Sequence, residues 1–251
     1  FTMGSEESSN QIKEIPYEKK MQKLNNHFRE EKFAKYRNSS SVRKDLKAFC
    51  KIGKYLNDKK PFSISKEKLD KVCFLIINTY NRKTYKLGSG PINDGYMVAK
   101  LHHSRGYQVY FLHNPSKNLF TIFTEFFLKN TKESLTIFYE GRSTTFVGTE
   151  GDVIKGQSDA LVFELNYLKD EEMGKILANN NNKDCKVVLI NNCCNGPSIW
   201  RLDLPCFKKF NLPPNITSIS AVNQLPQDSQ DSTKKNEKKN ANTDGIFIYY
   251  F

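Results

Sequence analysis

From residue 72 to residue 192 the chain repeats one arrangement: a short apolar run, a stretch with helical spacing, then another short apolar run. The runs are VCFLIINT (72–79), YQVYFLH (107–113), SLTIFYEG (134–141) and CKVVLINN (185–192), with NITSISAVN (215–223) as a fifth. They are nearly continuous in apolar and β-branched residues, which marks strands covered on both faces, since half-exposed strands would alternate. Between them, INDGYMVAKLHHSRG (92–106) and KNLFTIFTEFFLKN (117–130) have helical spacing. DEEMGKILANN (170–180) opens on acids that suit a helix N-terminus. This alternation predicts an α/β fold, a mostly parallel sheet with helices on both faces.

Between the third run and its next helix lies STTFVGTEGDVIKGQSDALVFELN (143–166), whose turn glycines and two alternating runs predict a β-hairpin inserted after a strand end. Residues 224–243 (QLPQDSQDSTKKNEKKNANT) are polar and repetitive and read as a mobile surface loop. Upstream, FTMGS (1–5) reads as a vector remnant, and residues 6–66 as a basic helical extension. Within that extension, residues 10–37 place Met21, Leu24, Phe28, Phe33 and Tyr36 at rough helical spacing. RNSSSVRK then reads as a linker and DLKAFCKIGKYL as a short amphipathic helix. Residues 67–251 are the expected folded domain.

The formal charge of +12 raises nucleic acid as a partner. Its make-up argues the other way. Lysines number 32 against 7 arginines, beside 25 asparagines, a bias that an AT-rich coding sequence produces by itself, and phosphate readers favour the arginine fork. The first 71 residues carry 18 Lys+Arg and 10 Asp+Glu, a surplus of +8, so the charge sits mostly on the extension. The six cysteines form no CxxC pair and no metal-ligand spacing with the four histidines, which predicts reduced thiols, no metal and no cofactor. No apolar run reaches the ~18 residues of a membrane span, so the expected protein is soluble and cytoplasmic, with the nucleus as the other compartment.

In open α/β sheets chemistry gathers at the carboxyl ends of strands, and here the order of pieces resembles the caspase-like peptidases, most closely the metacaspases. The matching pieces are FLIINTY, LGSGPINDGYMVAKLHHSRGYQVYFL, LTIFYEGRST, SDALVFELNYLKDEEMGKIL, KVVLINNCCNG, ITSISAVNQ and DGIFIYYF, over residues 71–251. Active members carry a histidine in a Ser-Gly-His-Gly stretch after the third strand and a cysteine in an Asp-x-Cys-His-like stretch after the fourth. The corresponding stretches here are EGRS (140–143) and NCCN (192–195), so the resemblance puts Arg142 at the histidine position and Cys194 at the nucleophile position. Asn192 stands at the aspartate and Asn195 at the following histidine.

A Cys–His dyad needs an imidazole that both favours the thiolate and hands a proton to the leaving amine. Arg142 is able to do the first by electrostatics, but a guanidinium lends no proton near neutral pH. Losing general acid–base help alone costs about 10²–10⁴-fold in rate. Metacaspases also hold a substrate lysine or arginine with two aspartates. The resemblance assigns one of those positions to Asp94 of PIND (91–94) and the other to Asn192, so half the expected pocket charge is missing. The calcium-binding aspartates of some members reduce here to Asp203 alone.

These departures predict a catalytically inactive caspase homologue, a monomer working through contact with a protein partner, such as an active caspase-like peptidase that it regulates. Two competitors stand beside it. One is an active cysteine endopeptidase cleaving after Lys or Arg with Cys194 as nucleophile. The other is a nucleic-acid-binding module working through the basic N-terminal region. Cys193 reads as a small apolar residue closing a strand, His102 and His103 as surface histidines, and Trp200 and Phe207 as covers for apolar surface. His113 ends the second strand, which the resemblance places beyond the first and away from the site.

Overall fold

The computed structural model describes residues 46–66, 69–82, 84–147, 157–180, 182–194, 200, 202 and 205–220, all within one compact unit, Asn38–Phe251. The predicted helical stretch 10–37, the loop 224–243 and DGIFIYYF lie outside the described residues. Strands are β1 (Lys54–Tyr55), β2 (Lys71–Ile77), β3 (Gln108–His113), β4 (Ser134–Val147), β5 (Gln157–Val162), β6 (Tyr167–Lys169), β7 (Lys186–Cys194) and β8 (Ile216–Ser220). Helices are α1 (Gly90–Ser104), α2 (Lys117–Asn130), α3 (Asp170–Asn180) and the single turn α4 (Pro205–Lys208), with a 3₁₀ turn at Pro61–Ser63.

The main sheet runs β1-β3-β2-β4-β7-β8, and every neighbouring pair is parallel. The expected mostly parallel sheet flanked by helices is therefore what the chain forms. After β2 the chain steps to β3 on one side, then returns past β2 to β4 on the other. Right-handed crossovers in opposite directions put their helices on opposite faces and open a crevice at the carboxyl ends of β2 and β4.

The sequence explains both layers. On one face Cys73, Leu75 and Ile77 of β2, Phe111 of β3, Phe138 of β4 and Ile190 of β7 pack with Ile92, Val98 and Ala99 of α1. The opposite face is aromatic. Leu119, Phe120, Phe123, Phe126 and Phe127 recur along one stripe of α2, and this stripe meets Phe74 and Tyr110. Ser116 caps α2, its side chain accepting the Leu119 amide at 3.2 Å.

Two local expectations change. β4 continues past Gly141 to Val147, and its distal part pairs antiparallel with β5, so the predicted hairpin is an extension of the third strand itself. The segment 46–66, expected to belong to the extension, joins the sheet instead. Residues 46–49 are helical, Lys54 and Tyr55 pair with Tyr110 and Phe111, and Phe49 stacks on Phe111 with ring centroids 4.2 Å apart. The amphipathic helix expected over 45–56 is helical only at 46–49, and a short strand stands in its second half, bracketed by the buried Phe49 and Leu56. Among the described residues no helix is long and apolar enough to cross a membrane.

Candidate functional site

The last residues of β7 lie beside the middle of β4, where β4 leaves the parallel sheet, with Glu140 opposite Asn192 and Arg142 opposite Cys194 in register. The positions of Arg142 and Cys194 are thus neighbours on the backbone. Asn192 donates through Nδ2 to Glu140 Oε2 at 2.6 Å, which fixes both side chains on one face of the sheet. That is the face covered by α1, where Asp94 is buried at 4 % exposure. Strand alternation returns the chain to the same face at Arg142.

Sequence reasoning missed Glu140. It is 6 % exposed, and burial first, then the nearby Asp94, push its carboxyl well above the usual carboxylate range, against the lowering effect of the Asn192 hydrogen bond. Asp94 and Asn192 therefore meet around a second carboxyl group that no spacing in the sequence reveals, because it depends on which residue faces which across the ladder. Glu140 adds this carboxyl group beside Asn192, but burial favours its neutral form, so it does not supply the charge expected at that position.

This carries a stability consequence. An acid whose folded pKa lies above its unfolded value contributes stability at low pH and loses it as pH rises through the folded value. Glu140→Gln keeps an acceptor for Asn192 and removes that loss. The variant is expected to exceed the wild type by about 1 kcal/mol or more at pH 8, with the advantage shrinking towards pH 4, as read by urea unfolding at both pH values.

The turn of chain at Arg142 is held by a buried polar knot. Its amide donates to Tyr80 Oη at 2.7 Å, and the Tyr80 hydroxyl donates to the Val162 carbonyl at 2.9 Å. The Tyr139 hydroxyl lies 2.9 Å from the Arg142 carbonyl and 2.7 Å from that of Val162. Burial raises both phenols far out of the physiological range, so they remain neutral donors. Gly141 is required here, since a Cβ would stand 2.6 Å from Tyr80 Oη and 3.0 Å from Tyr139 Oη.

The Arg142 side chain, half-buried, donates through Nε to the Tyr85 carbonyl at 2.9 Å, in the loop following β2, the strand on the other side of β4 from β7. That loop is fastened in turn by the Glu164 carboxylate, which accepts from the Asn81 and Arg82 amides at 3.1–3.2 Å.

The described histidines fall elsewhere. His113 and Glu140 share Ile77 as register partner on opposite sides of β2, so His113 stands across β2 from the site, as expected. It is 5 % exposed, its Nε2 lies 2.8 Å from Thr79 Oγ1, and burial lowers its pKa to about 4. Asn57 brackets its backbone, accepting from the His113 amide at 2.9 Å and donating to its carbonyl at 2.7 Å. His102 is not the exposed residue expected. Half-buried, it lies 2.9 Å through Nδ1 from the Val98 carbonyl and 3.2 Å through Nε2 from Thr136 Oγ1. A neutral ring donating at Nδ1 and accepting at Nε2 satisfies both. His103 is exposed. Cys193 is buried in β7 opposite Gly141, and Trp200 and Phe207 are fully buried, Trp200 edge-on to Tyr139 at 6.4 Å. Asn195 and Asp203 lie outside the described residues.

No protein-family model and no curated protein matches the chain. Among solved structures, protein GSU0716 from Geobacter sulfurreducens is similar at 15 % identity and a TM-score of 0.44, over 50 % of this chain and 50 % of that one. The structure of pro-sf-caspase-1 is similar at 12 % identity and a TM-score of 0.37, over 58 % of this chain and 51 % of that one. The chain spans about half the length of these solved structures.

Proposed function

We propose that the chain is a caspase-like domain that has lost peptidase chemistry and acts by binding a protein partner, such as an active caspase-like peptidase. The observation that carries this reading is Arg142. It occupies the β4 position opposite Cys194, the last residue of β7, and its Nε is committed to the Tyr85 carbonyl. A dyad requires a group there that exchanges protons near neutral pH, which a guanidinium does not do. The nearest strand-end imidazole, His113, lies across β2 and is bonded to Thr79.

The test is hydrolysis of a fluorogenic peptide library with lysine, arginine or aspartate before the scissile bond, with and without calcium, for wild type, Cys194→Ala and Arg142→His. Wild type is expected to match Cys194→Ala at background. Turnover by wild type that Cys194→Ala abolishes would overturn the reading.

A further inference from the structure

The opposite edge of the sheet holds a second feature, remote from the strand ends just described. Beside β1 lies a cleft of about 860 Å³, whose lining includes the apolar Tyr55, Leu56 and Ile64 and the charged Lys54, Lys59 and Asp58. That volume is within the range of specific binding pockets. We infer that this cleft takes an extended acidic peptide, added as a strand along β1.

Three observations converge on that occupant. The first is backbone polarity. Leu56 donates its amide to the Phe111 carbonyl, and Tyr55 is the register partner of Phe111. In a parallel ladder this geometry turns residues 54 and 56 towards β3 and leaves the N–H and C=O of Tyr55 directed to the open side. Among the described residues β1 is the last strand on that side of the sheet, so this pair is offered to an incoming chain. Strand addition draws affinity from such groups and selectivity from the pockets beside them.

The second is charge. Between Cys50 and Lys66 the chain carries Lys51, Lys54, Lys59, Lys60 and Lys66 against Asp58 alone. An acidic segment fits this balance and a basic one opposes it. The third is where Lys54 points. Edge lysines commonly guard a sheet against pairing. The Lys54 ammonium instead lies 5.5 Å over the ring of Tyr110 on the neighbouring strand, inward from the edge. The apolar wall of Leu56 and Ile64 suits alternate valine-like side chains of the incoming strand.

The inference is independent of the loss of peptidase chemistry, and the hydrolysis assay does not bear on it. It is tested on the full chain by fluorescence anisotropy with a fluorescein-labelled peptide alternating glutamate and valine over eight residues. The lysine–valine counterpart and a glutamate–proline peptide, whose prolines lack N–H groups, are run beside it. Saturable binding of the glutamate–valine peptide is expected, at least tenfold tighter than either control. In the Lys54→Glu/Lys59→Glu variant it should weaken at least tenfold at an unchanged melting temperature, and hydrogen exchange at residues 54–56 should slow on binding. No binding up to 1 mM, equal binding of the lysine peptide, or affinity unchanged in the double variant would each overturn the inference. Displacement of the peptide by a tighter-binding RNA oligonucleotide would assign the cleft to phosphate and overturn it as well.

Discussion

Phe127→Ala is expected to lower the unfolding free energy by about 3–5 kcal/mol, read from the urea midpoint at constant slope. The side chain is fully buried, with its ring 4.9 Å from Phe74, 5.0 Å from Tyr110, 5.3 Å from Phe126 and 6.3 Å from Phe123. Truncation opens a cavity bounded by rigid rings that collapse poorly, so the transfer loss and the void add. Against a total stability of about 5–15 kcal/mol for a domain of this kind, the variant forfeits a large fraction of its margin. A loss under about 1 kcal/mol would mean that α2 does not hold its aromatic stripe against β2 and β3.

Acid is expected to weaken the fold through His113. Its pKa is lowered from an ordinary value of 6.5 to about 4 by burial, so the folded chain holds the neutral ring. The associated stability is complete above about pH 6.5, declines as pH falls to about 4, and is then lost, a total of about 3 kcal/mol at 1.36 kcal/mol per pKa unit. His102, lowered in the same direction by its own burial, adds to the slope. Glu140 opposes it, since its stability contribution grows as pH falls. His113→Asn removes the His113 component and should give a flatter stability profile between pH 4 and 6.5, whatever constant cost its smaller side chain brings. Parallel profiles for wild type and variant would show that His113 is already charged in the folded chain.

Most of the fold was legible because its signals are local. The apolar runs of β2, β3 and β7 are long enough to be strands whatever they pair with, and α2 coincides with its predicted span, 117–130, because its cap and aromatic stripe are contiguous in sequence. Misreadings occurred where a distant partner decides. Residues 46–66 look like a solvated lysine-rich extension, and only the fit of Phe49 against Phe111 draws them into the sheet. Gly141 reads as a strand end, yet β4 passes through it, because the Tyr80 and Tyr139 hydroxyls crowd the space a side chain would take. At the candidate site, order and resemblance point to Asp94, Arg142, Asn192 and Cys194. They do not point to Glu140, because its significance comes from facing Asn192 across a ladder whose register sequence does not display. His102 was misplaced for the same reason, its partner Thr136 arriving from another strand.

The length of β4 has a mechanical consequence. One uninterrupted strand of 14 residues is clamped between β2 and β7 along its first part and serves as one arm of the hairpin along its last. At about 3.3 Å per residue it is a beam some 45 Å long, with Glu140 and Arg142 near the point where the clamp ends. A load applied to the hairpin acts there as on the fulcrum of a lever. A force on the distal arm is therefore carried along one continuous backbone to Arg142, five residues before the strand ends.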